Sequence, residues 1–241
     1  MNKPATYSRS GAIGKIVIDD GKVNVMSVGM LAALHSAFDE AQRDGATVIL
    51  TARGKTFSAG FDLRVFAQGS ADEIYTMLKS GAELALRLLS FPTPVVAACN
   101  GHALPMGAFL LMSSDIRIAA DGAYGIGMNE VAIGLTVPRF AIEVARHRLT
   151  PAYFNRAVTT GQMFAPAEAA TAGFVDWTVP ASELDAAAQD VAERLSKIDF
   201  ASHAATKLRA REPAMKAIRA AIDQDITLTY AEESVAKRRA A

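Results

Sequence analysis

From about Ser27 to Asp44 the apolar residues Met30, Leu31, Leu34, Ala37, Phe38 and Ala41 recur at three- and four-residue steps, and that spacing predicts an amphipathic helix. Ser27 suits an N-cap and Gly45 a stop. Upstream, Gly14–Asp19 alternates as a strand does, and Asp20-Gly21 marks a turn. Downstream, Thr47–Thr51 is a short β-rich run suited to a central strand. The alternation continues with a helix over Asp72–Ser90, a strand over Val95–Cys99, a short helix over Met106–Ser113 and a strand over Asp115–Ala119. Strands alternating with helices predict parallel crossovers and an α/β fold.

After Pro138 the pattern turns helical, over Pro138–Leu149, Thr150–Thr160, Ala167–Ala172, Glu183–Ser196 and Pro213–Lys237, with Phe174–Val179 the one late strand. Met215, Ile218, Ile222, Ile226 and Leu228 give the last helix an apolar stripe, which predicts packing on the protein's own core or on a partner. No fixed-period repeat or low-complexity linker interrupts the chain. The tail therefore reads as an appendage, a core over residues 1–195 followed by a helical region over 196–241.

The chain has 241 residues, 51% of them hydrophobic and 21% charged, which supports a substantial core. Lys and Arg balance Asp and Glu at 25 each, so no electrostatic footprint for nucleic acid or an acidic membrane surface is present. A local basic patch for a phosphorylated ligand remains open. One cysteine, Cys99, excludes an intrachain disulfide, and its place after an apolar strand run predicts a small core residue. With four scattered histidines, no metal-ligand cluster is legible. The N-terminus lacks an apolar signal segment, and no apolar run is long enough to span a bilayer. The expectation is a cytoplasmic protein that binds neither membrane nor nucleic acid.

Two glycine-bearing turns follow predicted strands, Thr56–Leu63 and Asn100–Gly107, and Glu130 stands downstream in Tyr124–Glu130. A glycine lets backbone approach a ligand, and the first N–H groups of a helix lack intrahelical acceptors. Two such turns can set one donor each on the same oxygen, with Glu130 as the single base. That combination suits proton transfer beside a carbonyl.

These motifs resemble the crotonase superfamily of acyl-CoA enzymes, over nearly the whole chain from about Lys15 to the last helix. The resemblance implies a crotonase-like ββα-superhelix core with a helical C-terminal region. It puts the two oxyanion donors on the N–H groups of Phe61 and Met106 and the catalytic carboxylate on Glu130. Ser58, Ala59, Gly60, Asp62, Leu63, Arg64, Gly107, Phe109 and Asn129 are the expected substrate-binding residues, with Arg64 near the CoA phosphates. Phe61, Phe66, Met77 and Phe109 are candidates for the acyl pocket.

Hydratases of the superfamily generally use two glutamates, and Phe109 occupies the position of the first. A phenyl ring cannot activate water, so the chain is more similar to single-glutamate Δ3,Δ2-enoyl-CoA isomerases. Stretches Ile126–Glu130, Phe164–Ala169 and Gly173–Asp176 also resemble that branch. The resemblance implies no metal or redox cofactor, CoA arriving within the acyl-CoA substrate, and a homotrimer or hexamer with C-terminal helices at subunit contacts. Two alternatives stay open: a hydratase in which Asp62, Glu83 or another acid replaces the missing glutamate, and an acyl-CoA-binding protein without turnover. Taken alone, Asp62 reads as an N-cap or turn residue, Glu83 as a surface residue, and Glu143 with Arg146 and His147 as a solvated helix face. His102 has no nucleophile to pair with. The apolar neighbours Phe109, Val131, Ile133 and Leu135 are expected to raise the basicity of Glu130.

Overall fold

The computed structural model describes the backbone of residues 3–240 and the side chains of all but positions 234 and 237–240 among them. The chain opens with a hairpin, β1 (Ala5–Ser10) antiparallel to β2 (Ile13–Ile18), and passes to helix α1 (Val28–Arg43). Ser27 caps α1 by accepting the Met30 N–H, as its hydroxyl predicts. Three units of one kind follow. In the first, β3 (Thr47–Ala52) leads to a short second strand, β4 (Thr56–Ser58), then to α2 (Leu63–Gln68) and α3 (Ala71–Ser90). In the second, β5 (Val95–Cys99) leads to β6 (His102–Ala103) and α4 (Pro105–Ser113). In the third, β7 (Ile116–Ala120) leads to β8 (Ile126–Gly127), a single 3-10 turn at Val131–Ile133, and α5 (Arg139–Arg148). The remainder comprises α6 (Pro151–Thr160), β9 (Met163–Phe164), α7 (Pro166–Ala172), β10 (Trp177–Val179), α8 (Leu184–Leu195), α9 (Phe200–Asp225) and α10 (Leu228–Ala240).

First strands of the units join one sheet, in the order β1-β2-β3-β5-β7-β10, parallel from β2 onward. Second strands join another, in the order β4-β6-β8-β9. This is the ββα superhelix expected from the resemblance. Alternate side chains of the larger sheet serve two cores. Val48, Leu50, Val95, Ala97 and Cys99 join the main core, while Ile49, Val96, Ala98 and Ile118 meet Leu184, Ala188 and Val191 of α8. Burial on both faces explains the near-continuous apolar strand sequences.

Several expectations need correction. The short strands β4, β6, β8 and β9 and the edge strand β1 were not foreseen, because two or three residues carry no readable period. The late strand is limited to Trp177–Val179; Phe174 and Val175 are buried ahead of it. The last helix is two helices, with Pro213 inside α9 rather than at a start and a break at Ile226–Thr227. Packing on α3 and α5 carries α9 through the proline, which by itself costs a helix about 3 kcal/mol. Ile218, Ile222 and Ile226 are buried in the protein's own core, while Leu228 is exposed. The expected division after residue 195 falls between α8 and α9; its outermost residues 1, 2 and 241 lie outside the described residues.

Candidate active site

Strands β4, β6 and β8 lie side by side and parallel, with Ser58, Ala103 and Ile126 in register. Their C-terminal ends therefore meet at one edge of the small sheet. Phe61 stands three residues beyond Ser58, Met106 three beyond Ala103, and Glu130 four beyond Ile126. The topology thus gathers residues separated by up to 69 positions of sequence.

The first two turns are packed against each other. Gly60 has φ +86°, and a Cβ there would meet Pro105 Cδ at 3.4 Å; one at Gly107 would lie 2.9 Å from Ser58 Cβ. The Leu104 N–H donates to the Ser58 carbonyl at 2.9 Å. Phe61 and Met106 also converge on Gly81 in α3, where a Cβ would lie 2.5 Å from the Phe61 ring and 3.2 Å from Met106 Sδ. Within the first turn, Ala59 N–H donates to the Val23 carbonyl and Gly60 N–H to Ser58 Oγ. The Phe61 and Met106 N–H groups have no acceptor among the described residues. For Met106 the reason is position, since it follows Pro105 in the first turn of α4.

Glu130 is 6% exposed, and its Oε2 is buried without a hydrogen-bond partner among the described residues. Burial pushes its carboxyl up to about 7, against a small opposing effect of its own backbone N–H. Desolvation is the expected cause, but three of the four expected neighbours do not supply it. Val131, Ile133 and Leu135 are exposed at 42%, 48% and 41% and do not enclose the carboxylate. The Leu135 N–H returns to the Glu130 carbonyl, so the loop curls back with its apolar side chains facing solvent. Phe109 is fully buried and packs edge-on against Phe140.

The remaining expected site residues divide by exposure. Ser58 is fully buried and its hydroxyl donates to the Asn24 carbonyl at 2.8 Å, so its side chain supports the turn rather than reaching a substrate. Gly107 and Phe109 are likewise buried, whereas Ala59 and Asn129 are half-buried and Leu63 is exposed. Asp62 caps α2 through the Arg64 N–H and chelates the exposed Arg64 guanidinium, which holds the carboxyl below its usual range. Glu83 lies on α3 in a two-pronged pair with Arg219 at 2.5 and 2.6 Å. Both acids proposed to replace a second glutamate are therefore held elsewhere. Cys99 is a core residue whose thiol burial pushes up to about 12. His102 accepts the Gly125 N–H on an exposed edge. His147, expected on a solvated face, is half-buried and lowered to about 4 by burial. The sequence reading missed Gly81; its signal was a glycine inside an otherwise strong helix. Among the described residues, no three His, Cys, Asp or Glu side chains could hold a metal ion, and no helix is long and apolar enough to cross a membrane.

The same architecture recurs in known proteins. A solved enoyl-CoA isomerase of Mycobacterium tuberculosis superposes with a TM-score of 0.88 at 43% identity, over 92% of this chain and 97% of that one. An enoyl-CoA hydratase of Mycobacterium ulcerans gives 0.90 at 45% identity, over 96% and 99%. By sequence, the peroxisomal enoyl-CoA delta isomerase 2 of Arabidopsis thaliana is 34% identical over 154 residues, which span 61% of this chain and 63% of that protein. The Enoyl-CoA hydratase/isomerase family pattern matches residues 8–241. Relatives named for either reaction share the scaffold, and on that match the chain belongs to the enoyl-CoA hydratase/isomerase family.

Proposed function

We propose that this enzyme moves the double bond of a 3-enoyl-CoA to the 2 position, using Glu130 alone as base and acid. The observation that carries the reading is the buried, unpartnered Oε2 of Glu130, at the strand edge where the free Phe61 and Met106 N–H groups also stand. The thioester oxygen accepts both N–H groups, which form the oxyanion hole. Glu130 takes a proton from C2, and the electron pair of that C–H bond passes into a dienolate held by the two donors. The C3–C4 double bond shifts to C2–C3 as the protonated Glu130 returns its proton to C4. Donors fixed before reaction stabilise the developing oxyanion without reorganisation, and each is worth about 3 kcal/mol of barrier. Carboxylate acid–base help adds roughly 10²–10⁴-fold.

Hydration would need a second group to activate or protonate, and Asp62 and Glu83 are engaged with Arg64 and Arg219. Arg64, three residues beyond Phe61 and exposed, is assigned to the CoA phosphates. A largely apolar groove of about 580 Å³, lined by Leu78, Val137, Ile142, Ile226 and Tyr230, is assigned to the far end of the acyl chain. Leu78 is one turn of α3 before Gly81, where Phe61 and Met106 meet. The proposed reaction needs no metal or redox cofactor, since CoA belongs to the substrate. We place the enzyme in the cytoplasm as a homotrimer or hexamer; light scattering on the purified protein tests the assembly.

Incubation with trans-3-enoyl-CoA and, separately, trans-2-enoyl-CoA tests the chemistry. Conversion of the first ester to its 2-enoyl isomer at unchanged mass is expected. Formation of the 3-hydroxy ester from the second, with no isomerisation of the first, would replace this reading by a hydratase.

A further inference from the structure

Asn24 is the one non-glycine residue with positive φ, at 58°, among the described residues, and it is 1% exposed. Asparagine tolerates this left-handed backbone better than most residues, because its short side chain can satisfy nearby backbone groups. Here it does so on both sides. Nδ2 donates to the Thr56 carbonyl at 2.7 Å and to the Arg53 carbonyl at 3.0 Å, while Oδ1 accepts the Asp20 N–H at 3.0 Å. The Asp20 carboxylate in turn accepts the N–H groups of Lys22, Asn24 and Val25, which fixes the loop that carries Asn24.

That loop grips the donor turn along its length. The carboxamide holds Thr56 in β4, and the Asn24 carbonyl accepts Ser58 Oγ–H, whose oxygen accepts the Gly60 N–H at 3.1 Å. On either side of Asn24, the Val23 carbonyl accepts the Ala59 N–H and the Met26 N–H donates to the Gly60 carbonyl at 2.8 Å. Ser58 also accepts the Leu104 N–H through its own carbonyl, so the second turn hangs on the same point. The Ser58 hydroxyl, the Ser58 and Gly60 carbonyls and the Ala59 N–H are thus tied to this loop or to the other turn, and the Gly60 N–H to Ser58 itself.

We propose that Asn24 is a positioning residue. Through Ser58 it sets the direction of the Phe61 N–H, and hence the hydrogen bond that this donor makes to the thioester oxygen. This rests on the two-donor reading given above. A glycine at position 24 would accept the same φ but lose all three carboxamide hydrogen bonds; an alanine at position 58 would keep the packing but break the relay to Gly60.

The test compares the parent enzyme with Asn24→Gly and Ser58→Ala. Steady-state kinetics on 3-enoyl-CoA are read beside the infrared carbonyl stretch of a bound, thioester-labelled saturated acyl-CoA. Donor misalignment is expected to lower kcat by roughly 10- to 100-fold in both variants, with KM within about threefold, because small displacements of a fixed donor are costly. The carbonyl stretch, displaced to lower frequency in the parent complex, is expected to move back in both. A displaced parent stretch that stays unchanged in a folded Asn24→Gly and in Ser58→Ala overturns the role of Asn24 alone. No displacement in the parent complex overturns the two-donor reading, and the role of Asn24 with it. Should Asn24→Gly fail to fold, Ser58→Ala decides by the same readings.

Discussion

A carboxyl group buried without a cation beside it holds its proton more tightly, and Glu130, pushed up to about 7 by burial, shows this in its purest form here. A base must be ionised to act, so kcat/KM on 3-enoyl-CoA is expected to rise through pH 7 and level off above it. A flat profile from pH 5.5 to 8.5 would remove Glu130 from the role of base. Stability runs the opposite way. The folded-state value lies above the ordinary one of 4.5, so the fold favours the protonated form. That contribution is full below about 4.5 and is lost as pH rises through about 7, amounting to up to about 3 kcal/mol. Glu130→Gln keeps a neutral side chain at every pH. Urea unfolding is therefore expected to find the variant and the parent similar at pH 4, and the variant more stable at pH 8. Its isomerisation should fall by at least 10²-fold while acyl-CoA still binds; unchanged turnover would end the single-glutamate mechanism.

At the scale of elements, helices were the legible part. Helix α1 and helix α3 announce themselves by apolar spacing, and the start of α1 by Ser27, whereas the Ser70–Glu73 capping box that opens α3 emerged only in the structure. The second strands were not legible, since β6 and β8 are two residues long and their pairing is decided by strands far away in sequence. The repeat of three ββα units was hidden as well, because they begin at Thr47, Val95 and Ile116, at unequal spacing. Gly81 shows what such pairing demands of a helix. A methyl there would press on Phe61 and Met106 together, although alanine suits a helix interior better by about 1 kcal/mol. Gly81→Ala is expected to cut kcat about tenfold or more with little effect on far-ultraviolet dichroism. Equal kcat in the two proteins would mean that the donor turns do not lean on α3.

On the scale of the whole molecule, one carboxylate ties helix α9 to the sheet. Asp115 accepts the buried Lys207 and the half-buried Arg211 of α9 at 2.8 Å each, and also the Val95 N–H at the start of β5. Burial lowers Lys207 to about 8 even with this partner. Asp115→Ala leaves the buried Lys207 and the half-buried Arg211 without it and is expected to cost about 3–5 kcal/mol in urea unfolding; a loss below about 1 kcal/mol would show that the pair is not needed there. By itself the sequence determined the α/β class, most of the helices, the buried strands and the presence of two glycine-bearing turns with Glu130 downstream. These depend on periodicities and side-chain types that neighbours along the chain display. Only the tertiary structure decided that Glu130 is buried while Val131, Ile133 and Leu135 face solvent, and that Glu83 is held by Arg219. It alone also decided that Ser58 and Asn24 brace the first turn. Burial and pairing of that kind are made by contacts between strands and helices remote in sequence, which no local pattern encodes.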